Sequence, residues 1–303
     1  MAKELLRFEN VTKAYSVTPV INNLSFSVYK GEILGLLGPN GSGKTTTIRL
    51  TNGVIYPDTG RITLDGYDPV TQGDEVRQRC GVLTESAGLY EHLTALDNLL
   101  FFAELYEVDA PKQRAVELLT DFGLAAVAEK KVQTFSTGMK KRLGIAKALL
   151  HRPQVLFLDE PTTGLDPEGT RDLLNYIKKL NQKEQVTILI ATHLLKQVQD
   201  LCHRFLFLHQ GGLLEAGTFA ELETKYLRSI SLQVETDLEV GENEFAGYRI
   251  IGREPGVLRF QLNGKAEIPL LLKEILQSAA VYSVVIDGRN LETLYFKVRE
   301  AKE

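Results

Sequence analysis

Tryptophan is absent from this 303-residue chain, and cysteine occurs only twice, as Cys80 and Cys202. Two cysteines that far apart form no CxxC pair, which argues against a disulfide framework or a zinc ribbon and makes a reducing compartment the default. An excess of one charge is lacking too. Thirty-five Lys and Arg stand against 39 Asp and Glu, a net charge of −4, so a chain-wide basic surface for nucleic acid is not supported, although a local patch remains open. Long hydrophobic runs are missing. The most apolar stretches, Glu32 to Leu37, Val155 to Leu158 and Val186 to Ala191, are strand-sized, well short of the roughly 20 residues a bilayer needs. The opening Met1-Ala2-Lys3-Glu4 carries an early acid and no apolar core, so no secretion signal is expected there. The expected location is the cytosol.

What is present suffices for a core. Hydrophobic residues make up 44% and charged residues 24%, which excludes disorder throughout. The length suits one large domain, or a large one and a small one. Leu24, Phe26 and Val28 alternate with Ser25, Ser27 and Tyr29, the period of a half-buried strand. Ile62 and Leu64 alternate into Asp65-Gly66, a hairpin signal. Together these predict a small antiparallel layer. Ile33 to Leu37, Val155 to Leu158 and Thr187 to Ile190 lack polar alternation, as strands do when helices cover both faces of a parallel sheet. Helical spacing separates them: Leu173, Ile177 and Leu180 behind Asp166-Pro167, and Met139, Leu143, Ala146 and Leu150 behind Ser136. The fold class is α/β. From about residue 226, Ile230, Leu232 and Val234 alternate, as do Leu258, Phe260 and Leu262. Helical patterns follow at Ile268 to Ile275 and Leu291 to Val298, with a strand at Val284 to Ile286. The domains predicted are 1–225 and a small α+β unit, 226–303.

The strongest motif is Gly38-Pro39-Asn40-Gly41-Ser42-Gly43-Lys44-Thr45, followed by a helical run from Thr46. It fits GxxxxGK[ST] and stands between an apolar strand and a helix, where phosphate chemistry requires it. Glycines let successive main-chain N–H groups turn toward phosphate oxygens, and the helix N-terminus adds partial positive charge. Lys44 would reach the β- and γ-phosphates, and the Thr45 hydroxyl would take a place on Mg²⁺. A second motif is Val155-Leu156-Phe157-Leu158-Asp159-Glu160. A buried strand there delivers two acids to its carboxyl end, where ligands bind in open parallel sheets. Asp159 would hold Mg²⁺ and Glu160 would act as general base toward water.

With Phe135-Ser136-Thr137-Gly138-Met139 these motifs resemble the ATP-binding subunit of an ABC transporter, over roughly residues 4 to 222. The third segment resembles the family signature LSGGQ, with Phe135 for Leu, Thr137 for the first Gly and Met139 for Gln. The resemblance implies a P-loop ATPase with an antiparallel layer and a helical subdomain over about 87–150. It also implies that Ser136 and Gly138 face the ATP of an opposite subunit. Tyr15 matches the aromatic that stacks on adenine, with an ordinary core role as the other reading. Gly164-Leu165-Asp166 matches a loop at the dimer interface, and Asp166 equally reads as a helix cap. His193 resembles the switch histidine that contacts the γ-phosphate and orients Glu160. Glu85 stands where the family has a Gln linking Mg²⁺ and water to the transport subunit. Either Glu85 does that work, as a Mg²⁺ ligand, or the correspondence is off by one residue.

Two surface features complete the reading. Leu89, Tyr90 and Leu93 are candidates for docking a membrane partner's short helix. Lys130-Lys131 and Lys140-Lys141-Arg142 read as solvated helix faces, or as groups drawn to anionic lipid. The resemblance thus implies a hydrolase of ATP with Mg²⁺, acting as a dimer, expected to be a homodimer. It would sit at the inner face of the cell membrane through a separate transmembrane permease. Gly88 to Thr94 and Asn290 to Phe296 resemble ABC-2-type exporters of the drug- and sodium-efflux kind. The alternative is a soluble ABC ATPase acting on nucleic acid or the ribosome. It is disfavoured by the single phosphate loop and by the lack of a long insertion between the ATP motifs.

Overall fold

The computed structural model describes residues 3–227 and 229–302; Met1 and Ala2, part of the expected non-secretory start, lie outside them. The chain divides into two compact units, Met1–Ala216 and Gly217–Glu303. In the first, the elements run β1 (Glu4–Ala14), β2 (Pro19–Tyr29), β3 (Ile33–Leu37), α1 (Lys44–Thr51), β4 (Thr59–Leu64), α2 (Gly73–Arg79), β5 (Cys80–Leu83), α3 (Ala95–Leu105), α4 (Pro111–Asp121), α5 (Thr137–Ala148), β6 (Val155–Asp159), α6 (Pro167–Glu184), β7 (Thr187–Thr192), α7 (Leu195–Val198), β8 (Arg204–His209) and β9 (Gly212–Gly217).

Two sheets form. The antiparallel one has the order β2-β1-β4. The larger has the order β5-β6-β7-β3-β8-β9, and its first five strands pair in parallel. Strands β3, β6 and β7 are buried at every position, which is why their sequences show no alternation. One face of this sheet, through Leu34, Leu36, Val155, Phe157, Leu189 and Ala191, shares a core with α1 and the antiparallel sheet. Asp65-Gly66 does turn the chain, but it closes only a bridge from Leu64 to Tyr67, not the two-stranded hairpin expected. The chain then enters α2, so no partner strand follows.

Local signals explain the helices. In α6 the Asp166 side chain caps the first turn, accepting from Gly169 N–H at 2.8 Å, with Pro167 at the first position. Its Leu173, Ile177 and Leu180 are buried. At the other end, buried Asn181 donates to the carbonyls of Gly31 and Val186 at 2.9 and 2.8 Å. That pins the helix to the starts of β3 and β7. Helix α5 starts where Ser136 Oγ accepts from Met139 N–H at 3.2 Å.

The second unit contains α8 (Phe219–Tyr226), β10 (Ile230–Thr236), β11 (Glu244–Phe245), β12 (Tyr248–Glu254), β13 (Val257–Leu262), α9 (Ile268–Ser278), β14 (Val281–Asp287) and α10 (Leu291–Lys302). Its antiparallel sheet has the order β11-β12-β13-β10-β14. Leu271 and Ile275 of α9 pack on Ile230, Leu232, Val234, Leu258, Phe260 and Leu262. The division lies ahead of the expected 225/226 boundary because α8 packs on α10 within this unit. No helix among the described residues is long and apolar enough to cross a membrane.

Phe157, fully buried at the centre of β6, carries the acidic pair. Phe157→Ala is expected to cost about 3–5 kcal/mol, read as a lowered midpoint in urea unfolding.

Candidate functional site

The loop from Gly38 to Thr45 joins the carboxyl end of β3 to the start of α1. Gly43, which caps α1, has φ +101°. A Cβ there would lie 2.4 Å from Ile21 Cδ1 and 2.9 Å from the Val20 carbonyl, so only glycine lets the loop close onto β2. The first bond of the helical ladder runs from Thr47 N–H to the Gly43 carbonyl at 2.8 Å. The amides of Lys44, Thr45 and Thr46 therefore precede the ladder and are free to meet an anion. Lys44 is buried, and its Nζ donates to the carbonyls of Gly38 and Pro39 at 2.9 and 3.1 Å. Burial lowers its pKa, while the nearby charges of Glu160 and Asp159 pull the other way.

Glu160 follows β6 in a left-handed backbone conformation, φ +47°, which is uncommon for a non-glycine residue. Five contacts hold its carboxylate, one of them from Thr163 Oγ1, which donates to Oε2 at 3.5 Å. Thr192 Oγ1 donates to Oε2 at 2.9 Å, and the His193 amide donates to Oε1 at 3.2 Å. His193 Nδ1 sits 2.9 Å from Oε1, and Lys44 Nζ lies 3.6 Å from the same oxygen. A carboxylate only accepts, so this contact places a proton on Nδ1. Asp159 is buried with Oδ1 unpartnered. Burial raises its pKa first; the Thr45 hydroxyl and Lys44 oppose the shift, and Glu160 and Glu85 add to it.

Asn40, Gly41, Gly43, Lys44, Thr45, Thr46, Glu85, Glu160 and His193 line one cavity of about 410 Å³. Its chemistry fits a phosphate ester and a hard divalent cation. It offers a lysine at the helix start, the Thr45 and Thr46 hydroxyls and the Glu85 and Glu160 carboxylates; Asp159, whose buried Oδ1 has no donor, lines a second cavity that shares Thr45 and Glu85 with this one. Gly38 lets the loop start hard against β8, since a Cβ there would lie 2.4 Å from the Leu208 carbonyl. Ser136 and Gly138 are not brought to this cavity. They line another, of about 390 Å³, with Gly164, Leu165 and Asp166. Tyr15, just past β1, is 57% exposed with Lys13 Nζ 5.9 Å from its ring centre; Val20, not Tyr15, lines the cavity from this side.

Among the surface candidates, Tyr90 is half exposed and stacks on Phe102, with Phe101 edge-on. The reading of Lys140-Lys141-Arg142 as a solvated face does not hold. Lys141 is 4% exposed, Lys140 pairs with Glu91 at 2.5 Å, and Arg142 donates to the Phe122 carbonyl at 3.3 Å. Helix α5 is packed on nearly every side, which leaves no free basic face for lipid. Thr192 and Lys141 escaped the sequence reading. A polar Thr ending an apolar strand was the signal for the first. For the second it was Gly144, Ile145 and Ala148, small or apolar residues continuing the lysine's own stripe along the helix.

Comparison with known proteins agrees with this geometry. The ABC transporter family model matches residues 21–163. The chain is 32% identical over 303 residues to the uncharacterized ABC transporter ATP-binding protein YhcH of Bacillus subtilis (strain 168), covering 99% of this chain and 98% of that one. It is 41% identical to the Nod factor export ATP-binding protein I of Burkholderia pseudomallei (strain 1710b), covering 69% of each. The fold is similar to the dimeric post-hydrolysis state of the ATP-binding cassette MJ0796 bound to ADP and Pi, with TM-score 0.65 and 26% identity over 71% of this chain and 98% of that one.

Gly43→Ala is expected to destabilise the first unit by upwards of about 1 kcal/mol, because the loop must leave its left-handed turn. The apparent melting temperature of the purified chain reads this directly.

Proposed function

The chain belongs to the ABC transporter ATP-binding proteins, and on that premise we propose a division of labour among its residues. Its activity is ATP hydrolysis coupled to transport. The observation that carries the proposal is the clasped carboxylate of Glu160, held by Thr192 and His193 and facing Lys44 at 3.6 Å across the cavity.

Bound ATP with Mg²⁺ supplies the phosphoanhydride bond and a cation that neutralises its oxygens. The loop Gly38, Pro39, Asn40, Gly41, Ser42, Gly43, Lys44, Thr45 and Thr46 binds the phosphates, its main-chain N–H groups and polar side chains donating to them while Pro39, which has no N–H, shapes the turn. Thr45, Asp159 and Glu85 hold the Mg²⁺; the unpartnered Asp159 Oδ1 supports this. Glu160 accepts the proton of the attacking water. His193 keeps Glu160 in place through Nδ1 and contacts the γ-phosphate, which its place in the cavity lining supports. Tyr15 stacks on adenine, for which its exposure leaves room.

Ser136 and Gly138 act on the nucleotide of a second ATPase subunit in a homodimer. Their separation from the phosphate loop's cavity supports this, as does the dimeric state of the similar cassette. A separate transmembrane permease converts opening and closing of the dimer into transport. Tyr90 with Leu89 and Leu93 forms part of its docking surface. That permease holds the subunit at the inner face of the cell membrane. Export is the direction assigned, supported by the similarity to a Nod factor export protein. The alternative of a soluble ATPase acting on nucleic acid or the ribosome draws no support from these relatives.

Glu160→Gln is expected to keep Mg-ATP binding, to lower turnover by about 10²–10⁴-fold, and to trap an ATP-dependent dimer visible by light scattering. Unchanged hydrolysis would remove Glu160 as the base. Lys44→Ala is expected to weaken Mg-ATP binding about 10- to 100-fold, the worth of a charged hydrogen bond, as measured by calorimetry.

A further inference from the structure

We infer that Lys141 is a positioning residue for hydrolysis, tying helix α5 to the two loops that carry Glu85 and Glu160. The inference rests on the ATPase reading given above. Its geometry is independent of any bound group. Lys141 is 4% exposed. Its Nζ donates to the Glu85 carbonyl at 2.8 Å and the Glu160 carbonyl at 3.3 Å. Those residues leave the ends of the adjacent parallel strands β5 and β6, so one ammonium staples two neighbouring strand ends.

The staple acts where the backbone needs it. Glu160 sits at φ +47°, and such conformations persist only where surrounding contacts over-determine them. The amide of Glu160 is fixed by the Ala191 carbonyl at 2.8 Å, and its carbonyl accepts from Lys141 at 3.3 Å and from the Thr163 amide at 3.4 Å. Losing the lysine leaves that carbonyl only the Thr163 contact within its own loop, cuts the tie to α5 and Glu85, and loosens the turn that aims the carboxylate at the water it must deprotonate. Burying an ammonium is costly, and this one lies near Glu85, Asp159 and Glu160, whose negative charge offsets part of that cost.

Two glycines permit the approach. A Cβ on Gly144 would lie 2.6 Å from Leu83 Cδ1, and one on Gly81 would lie 2.3 Å from the Ala148 carbonyl. Helix α5 therefore presses on β5 closely enough for a lysine to span the gap. The same helix begins at Ser136 and Gly138, the residues proposed to read the partner subunit's nucleotide. Lys141 thus links that surface to the chain's own hydrolytic carboxylate within two turns of one helix.

The test compares K141M and K141R with the unaltered chain, reading kcat for ATP, Mg-ADP affinity by calorimetry, and thermal melting. Expected for K141M is a cooperative melt, Mg-ADP affinity within threefold, and kcat at least tenfold lower. K141R, which keeps charge and donors, is expected to restore kcat to within threefold. Should K141M not fold, K141Q takes its place under the same criteria. The inference is overturned if kcat stays within threefold, if affinity and kcat fall together, if Arg fails to restore, or if both K141M and K141Q are insoluble. An unaltered chain that neither binds Mg-ADP nor hydrolyses ATP sinks the ATPase reading instead.

Discussion

Everything at the candidate site depends on where the Glu160 carboxylate is held. The residue leaves β6 in a left-handed turn, a conformation that costs on the order of 1 kcal/mol or more and needs outside support. That support comes from three directions. Strand β7 supplies Thr192 and His193, the phosphate loop supplies Lys44, and helix α5 supplies Lys141. Each contact is short in space and long in sequence, so the site exists only once the parallel sheet is assembled.

The sheet order explains why these parts meet. Strands β5, β6, β7 and β3 lie side by side in parallel, so their carboxyl ends open on one edge. Glu85, Glu160, His193 and the phosphate loop are the residues that follow those four strands. Crevices at the carboxyl ends of such sheets are where α/β folds bind ligands, and here four chain exits place an ammonium, an imidazole and carboxylates around one cavity. Ser136 and Gly138 follow no strand of that edge. They open a helix elsewhere on the unit, in keeping with the role proposed for them at a second subunit's nucleotide.

Charge balance follows from burial. Asp159 and Glu160 stand next to each other at a strand end with Glu85 nearby, and Lys44 and Lys141 are buried among them. Carboxylates crowded this way resist ionising together unless cations offset them. The unpartnered Asp159 Oδ1 marks where this compensation is still incomplete, and where a divalent cation fits the donor set. Within the basic run at residues 140–142, Lys141 thus belongs to the interior, while half-buried Lys140 and Arg142 are engaged by Glu91 and the Phe122 carbonyl.

Much of this was written locally. The phosphate loop, the acidic pair after an apolar strand, the Asp166-Pro167 and Ser136 helix starts and the alternation of β2 and β10 depend on residues close together in sequence. Short-range physics governs them: side-chain period, capping and glycine's freedom at positive φ. Strand β12 and the edge strand β9 show no clean apolar period; β8 does, with Phe205 to Leu208 buried between β3 and β9, but a short apolar run alone does not separate a buried strand from a helix, and the turn at Asp65-Gly66 was read as a hairpin because nothing local says what a turn must pair with. The role of Lys141 was hidden for the same reason. A lysine in a basic run reads as solvated until the helix is seen pressed against β5, and whether a charge faces water or two carbonyls is set by neighbours some 20 to 56 residues away, which only tertiary packing brings within hydrogen-bonding reach.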